Sequence, residues 1–136
     1  MEIPKILLAE DDTSSLTIVK QLLTMEGYEV EAATSGRKAL HILSRGETNL
    51  AIVDLMLPDT SGLELLNEYL TKEFQRIPVI VISSLNVYDV QYYSEYLLPL
   101  VDIIQCAVAY FTKPFSGAKL VRTVNRELSY NELIET

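Results

Sequence analysis

Five side chains of this 136-residue chain are of the types that handle a phosphoryl group: the acids Glu10, Asp11 and Asp54, the hydroxyl of Ser83 and the ammonium of Lys113. They stand at the ends of four short apolar runs, residues 3–9, 50–53, 78–82 and 108–112. Two carboxylates about 4 Å apart repel by roughly 4 kcal/mol at an effective dielectric of about 20, so three acids in one crevice need a cation or must take up protons. A hard divalent ion meets that need. Mg²⁺ suits carboxylate and carbonyl oxygens and keeps much of its hydration shell. Lysine supplies a mobile point charge for a phosphoryl oxygen, serine a directed donor, and Asp54 an oxygen nucleophile able to form an acyl phosphate. Alone, the acids at 10–12 also suit a solvated helix N-terminus, where they favour the macrodipole. Five complementary groups at four run ends point instead to phosphoryl transfer.

Such groups converge only if the runs are neighbouring strands. The unbroken apolar stretch 50–53 suits a strand buried on both faces, because a half-exposed strand would alternate. From 13 to 26 the apolar residues Leu16, Val19, Leu22 and Leu23 recur at helical spacing, with Asp12 as N-cap and Gly27 as stop. Residues 28–33 read as a second strand, and Ser35 caps a helix carrying Ala39, Leu40 and Leu43 that Gly46 ends. Pro58 and Gly62 mark a turn, with Ser61 capping a third helix through Leu63, Leu66, Tyr69 and Leu70. Strands at 78–82 and 108–112 follow, then a last helix at 116–129 with Leu120, Val121, Val124 and Leu128 inward. Five alternations of strand and helix predict an α/β, doubly wound, five-stranded parallel sheet of order 2-1-3-4-5 with helices on both faces. Strands one and three then meet at the switch point, and Glu10, Asp11 and Asp54 share its crevice.

Length and composition predict a single domain over residues 1–136, with 49% hydrophobic residues to fill one core. No apolar run reaches the roughly 18–20 residues of a membrane span, and acidic Glu2 and Pro4 stand where a leader would be basic and apolar. A soluble, cytoplasmic protein is expected. The single Cys106 has no partner for an internal disulfide and is expected to be a small buried hydrophobe. His41 is expected to be an ordinary surface or core side chain. Eleven basic against 19 acidic residues give a net charge of −8, which repels phosphate backbones and argues against direct nucleic-acid binding by this chain.

The chain resembles a response-regulator receiver domain of two-component signalling, with a flavodoxin-like fold. The resemblance lies in Leu7-Leu8-Ala9-Glu10-Asp11-Asp12, Val53-Asp54-Leu55-Met56-Leu57-Pro58 with Gly62, Ser83, and Tyr110-Phe111-Thr112-Lys113-Pro114-Phe115. It implies that Asp54 accepts a phosphoryl group from a histidine kinase or histidine phosphotransfer protein. It implies that Asp11, Asp54 and the Met56 backbone carbonyl bind Mg²⁺, with Glu10 acting through water, and that Ser83 and Lys113 hold the phosphate oxygens. Tyr110 matches the switch aromatic, and the Lys113-Pro114 peptide is expected to be cis. Met56 and Leu85 match positions that bear on phosphate lifetime; neither can position an attacking water, so slow self-dephosphorylation is expected, unless both merely line the rim.

Two features depart from the pattern. Ser83 and Lys113 lie 30 positions apart, about two helical turns more than usual for the family. Residues 77–112 also lack Lys and Arg while holding five of the chain's eight tyrosines. A helix over 86–97, a break at Pro99 and a second helical piece to about Cys106 are expected. Tyr88, Tyr92 and Tyr96 there suit an interface, through which a partner or a second copy would dock together with the fifth strand and last helix. The alternative is a longer helix packed on its own sheet, with Tyr93, Leu97 and Leu100 as core. The expected protein is a signalling phosphoacceptor rather than an enzyme, since a phosphatase with an aspartyl nucleophile would want a second acid where Met56 stands. A pseudo-receiver serving only as an interaction module is the other reading.

Overall fold

Apolar runs and their helical complements assemble in strict alternation. The computed structural model describes residues 2–72, 77–85 and 100–135, with side chains to residue 129. In chain order the elements are β1 (Lys5–Ala9), α1 (Thr13–Met25), β2 (Glu29–Ala33), α2 (Gly36–Leu43), β3 (Leu50–Asp54) and α3 (Thr60–Leu70). They continue with β4 (Val79–Ser83), α4 (Val101–Cys106), β5 (Ala109–Thr112) and α5 (Gly117–Glu135). The strands form one parallel sheet in the order β2-β1-β3-β4-β5, as the sequence pattern predicts.

Period-two alternation splits the three central strands between two cores. Leu7, Ala9, Ala51, Val53, Val79 and Val81 face the layer of α2, α3 and α4. Ile6, Leu8, Leu50, Ile52, Ile80 and Ile82 face α1 and α5, where Val19, Leu23, Leu120, Val124 and Leu128 meet them. Each of the Val, Leu and Ile side chains contributes on the order of 2 kcal/mol when fully buried. β1, β3 and β4 therefore cannot slip by one residue without turning one core into the other.

Most element ends follow the local signals. Asp12 caps α1 by accepting from Ser14 N–H at 3.0 Å, and Gly27 closes it at φ +94°, a conformation that suits a residue without Cβ. Ser35 caps α2 through Lys38 N–H at 3.1 Å. Several expectations need correction. Ser61 lies inside α3, whose N-cap is Asp59. The last helix runs to Glu135 rather than 129. Cys106 is exposed rather than buried, because only the Ile103 face of short α4 turns to the core.

The expected helical piece ending at Cys106 is α4, and Leu100 is buried as expected. Leu100 stands at its N-cap with no side chain able to accept a hydrogen bond. Buried Asn67 of α3 fills that role, its Oδ1 accepting Ile103 N–H at 2.9 Å. The expected helix at 86–97, with Tyr88, Tyr92, Tyr93, Tyr96 and Leu97, lies outside the described residues.

Candidate functional site

Four strands deliver the candidate side chains to one edge of the sheet. Pairing of Ala9 with Val53, Asp54 with Ile82, and Ser83 with Thr112 levels the carboxyl ends of β1, β3, β4 and β5. Glu10 and Asp11 follow β1, Asp54 and Ser83 end β3 and β4, and Lys113 follows β5. Backbone bonds continue each register one step: Glu10 N–H donates to Ala33 O at 2.9 Å, Leu55 N–H to Ile82 O at 3.3 Å and Lys113 N–H to Ser83 O at 2.7 Å.

Ligand oxygens of Glu10, Asp11 and Asp54 lie within 4.8 Å of one another, with Glu10 and Asp54 buried and Asp11 exposed. Lys113 Nζ stands between the two buried acids, 2.6 Å from Glu10 Oε2 and 2.8 Å from Asp54 Oδ2. The Lys113-Pro114 peptide is cis, as expected. Asp54 Oδ1 accepts Met56 N–H at 2.8 Å, and Glu10 Oε1 accepts Asp12 N–H at 2.9 Å.

Burial pushes the Glu10 carboxyl above its ordinary range, and the Asp54 charge adds to this; Lys113 and the Asp12 amide only partly oppose it. Burial works to lower the Lys113 ammonium, but hydrogen bonding to Asp54 and Glu10 outweighs it and the pKa is raised. Lysine therefore stays charged and acts as the crevice's internal counter-ion.

These residues fit a divalent cation. Glu10 Oε2 is buried with no hydrogen-bond donor aligned on it, its close contact being the Lys113 ion pair. Such an oxygen can take a donor from a metal's hydration shell, while exposed Asp11 faces the open side of the cluster. Three carboxylates against one ammonium leave net negative charge for a hard ion to neutralise. Glu10, Asp11 and Asp54 would hold it, with the Met56 carbonyl beside them in the chain.

Ser83 is fully buried, and its Oγ accepts Leu85 N–H at 3.1 Å. Tyr110 is half-buried and donates its hydroxyl to Leu85 O at 2.7 Å. The two proposed switch residues thus grip one peptide segment from opposite ends. Met56 is 41% exposed and Leu85 is half-buried against the core. His41 is exposed on α2, away from the acids in sequence. Tyr88, Tyr92 and Tyr96 fall outside the described residues. Two residues that sequence reasoning passed over are Asp59 and Asn67. Asn67 had a signal: it is a polar residue four after Leu63, on the apolar stripe of α3.

The doubly wound parallel sheet thus carries an acid cluster, a hydroxyl and a lysine at its switch-point edge, groups whose chemistry suits a phosphoryl ligand and a divalent ion. The profile of the response regulator receiver domain family matches residues 6–125, and the chain belongs to that family, the receiver domain of two-component response regulators. It is 32% identical over 124 residues to the DNA-binding transcriptional regulator NtrC of Bradyrhizobium sp., covering 91% of this chain and 24% of that protein. It is 31% identical over 135 residues to the transcriptional regulatory protein CpxR of Klebsiella pneumoniae, covering 97% and 53%. The chain spans about a quarter to about half the length of the first curated relatives it matches.

Among solved structures, the signal receiver domain of a protein described as a LuxO repressor from Vibrio parahaemolyticus superposes with a TM-score of 0.80 at 29% identity, covering 98% of this chain and 96% of that one. The receiver domain of the Pseudomonas aeruginosa sensor histidine kinase PA1611, with a magnesium ion coordinated in its active-site cleft, shares the fold. Its TM-score is 0.74 at 23% identity, over 94% of this chain and 99% of that one.

Proposed function

We propose that Asp54 is phosphorylated by a histidine kinase or histidine phosphotransfer protein in a Mg²⁺-dependent reaction, and that the modification switches a protein-interaction surface. The observation that carries this reading is the Lys113 ammonium held between two buried acids, Glu10 and Asp54. An Asp54 carboxylate oxygen attacks the phosphorus of the donor's phosphohistidine. The new P–O bond forms as the P–N bond breaks, and its electron pair leaves on the imidazole nitrogen.

When bound, Mg²⁺ supplies positive charge to the phosphoryl oxygens in the transition state. Asp11, Asp54 and the Met56 carbonyl would hold that ion, with Glu10 acting through a water. Met56 N–H fixes one Asp54 oxygen at 2.8 Å and so orients the nucleophile. Lys113 has a side chain 19% exposed and can move its charge from Asp54 to a phosphoryl oxygen. Ser83 Oγ exchanges its contact with Leu85 N–H for the phosphoryl group, and Tyr110, anchored on Leu85 O, follows the loop.

The chain acts as a signalling phosphoacceptor and not as an enzyme turning over a separate substrate. Among the described residues no helix is long and apolar enough to cross a membrane; a cytoplasmic location and a homodimer through the 86–106 segment, β5 and α5 belong to this proposal. The net charge of −8 speaks only for this span, whereas relatives named as DNA-binding or transcriptional regulators are much longer. Incubating the protein with acetyl phosphate and Mg²⁺ tests the reading. The wild type is expected to gain one phosphoryl group by intact mass and Asp54→Asn none; a wild type that gains none leaves the interaction-module reading in its place.

A further inference from the structure

We propose that Asp59 is a positioning residue for the phosphoacceptor crevice, holding the loop that carries the Met56 carbonyl by clamping it to the N-terminus of α2. The inference rests on the reading of Asp54, Met56 and Mg²⁺ given above.

Asp59 is the N-cap residue of α3, yet its side chain makes no capping bond to that helix. Its Oδ1 instead accepts Gly36 N–H at 2.7 Å and its Oδ2 accepts Arg37 N–H at 3.0 Å. These are the first two amides of α2, donors that a helix leaves unpaired and whose dipole favours an anion. Ser35 Oγ takes the next available one, Lys38 N–H. One helix N-terminus is thus satisfied from two separate segments, its own cap and the loop after β3.

The close approach depends on glycine on both sides. A Cβ on Gly36 would lie 2.4 Å from the Gly62 carbonyl carbon, and a Cβ on Gly62 would lie 1.9 Å from Asp59 Oδ2. Arg37 Nη2 adds a contact to Ser61 Oγ at 3.4 Å across the same seam. The loop from Asp54 to Asp59 is consequently tied at both ends. At the near end Met56 N–H bonds Asp54 Oδ1 and Leu55 N–H bonds Ile82 O; at the far end Asp59 bonds α2. Only Met56 and Pro58 between these ties are exposed, while Leu55 and Leu57 are buried. α2 itself follows β2, whose Ala33 carbonyl accepts Glu10 N–H. The clamp therefore joins the loop carrying one candidate metal ligand to the strand end that fixes another.

Asp59→Ala removes both acceptors, and Asp59→Asn keeps one should the alanine variant not fold. Ser35→Ala is the control, because it weakens the same helix N-terminus without touching the loop. Two quantities are read: the Mg²⁺ dissociation constant by isothermal titration with MgCl₂, and hydrogen exchange of the Met56 amide in metal-free protein. Asp59→Ala is expected to weaken Mg²⁺ binding by about tenfold, as the loss of a group that orients a ligand does, and to speed Met56 exchange. Asp59→Asn falls between, and Ser35→Ala lowers thermal stability while leaving both readings as in the wild type. Mg²⁺ affinity and Met56 exchange unchanged in both Asp59 variants, or equally altered in Ser35→Ala, overturn the positioning role alone. A wild type that takes up no Mg²⁺ overturns the site reading as well.

Discussion

Replacing Lys113 with methionine removes the only described cation in contact with the buried acids while keeping most of the side-chain stem. Its Nζ lies 2.6 Å from Glu10 and 2.8 Å from Asp54, whose side chains are 1% and 3% exposed. Carboxylate oxygens within 4.8 Å of one another repel by about 3.5 kcal/mol at an effective dielectric of about 20. Deleting one partner of a buried ion pair costs about 3–5 kcal/mol, and the 19% exposure of the lysine puts the loss here near the low end, about 3 kcal/mol. For a domain of this size that corresponds to a fall of about 10 °C in Tm. The deficit depends on pH with a definite sign. Glu10, already pushed up by burial, is pushed higher once the ammonium is gone. A raised folded pKa gives stability that is fully present below the unfolded value, about 4.3, and lost as pH rises through the folded one. Lys113→Met is therefore weakest in EDTA at pH 7.5 and recovers toward pH 5, and Mg²⁺ raises its Tm more than that of the wild type. Thermal unfolding followed by circular dichroism under these conditions measures all three effects. A metal-free Tm within about 2 °C of the wild type at pH 7.5 refutes the counter-ion role.

Glu10→Gln is expected to gain stability relative to the wild type at pH 7.5 but not near pH 4 in metal-free protein, because the raised Glu10 pKa makes its ionised form a net cost. The same variant binds Mg²⁺ more weakly; urea titrations at both pH values check the first effect and calorimetry the second. The phosphorylated wild type is expected to lose its phosphate slowly, and Met56→Asn, whose amide can hold a water near Asp54, shortens the half-life by about tenfold, the worth of one well-placed hydrogen bond. A wild-type half-life of seconds in Mg²⁺ would contradict this. Asn67→Ala leaves the Ile103 N–H without its acceptor and is expected to cost about 1–3 kcal/mol, read as a lower urea midpoint with faster exchange at Ile103.

Much of this architecture was legible because the signals were local and redundant. The run at β3 is apolar on both faces and ends in Asp54, and the structure buries all five of its residues. Asp12, Ser35 and Gly27 sit where capping chemistry puts them, so α1 and α2 were placed to within a residue or so at most of their ends. The strand ends that gather Glu10, Asp11, Asp54 and Lys113 follow from topology alone. What could not be read were contacts between segments. Asp59 and Ser61 are both good caps by type, and only the approach of α2 shows that the Asp59 carboxylate is engaged elsewhere. Asn67 likewise has its meaning only from the backbone of α4, 36 residues on. The exposure of Cys106 is not legible in the sequence because a six-residue helix offers too few turns to reveal which face is inward.

The proposed function stands or falls on Asp54 as the residue that carries the phosphoryl group. Borohydride reduction of acetyl-phosphate-treated protein converts an aspartyl phosphate to homoserine, which peptide mass spectrometry locates by residue. Homoserine at position 54, formed with Mg²⁺ and abolished by EDTA, is the predicted result. An unmodified residue 54, or homoserine at position 11 in its place, would contradict the account.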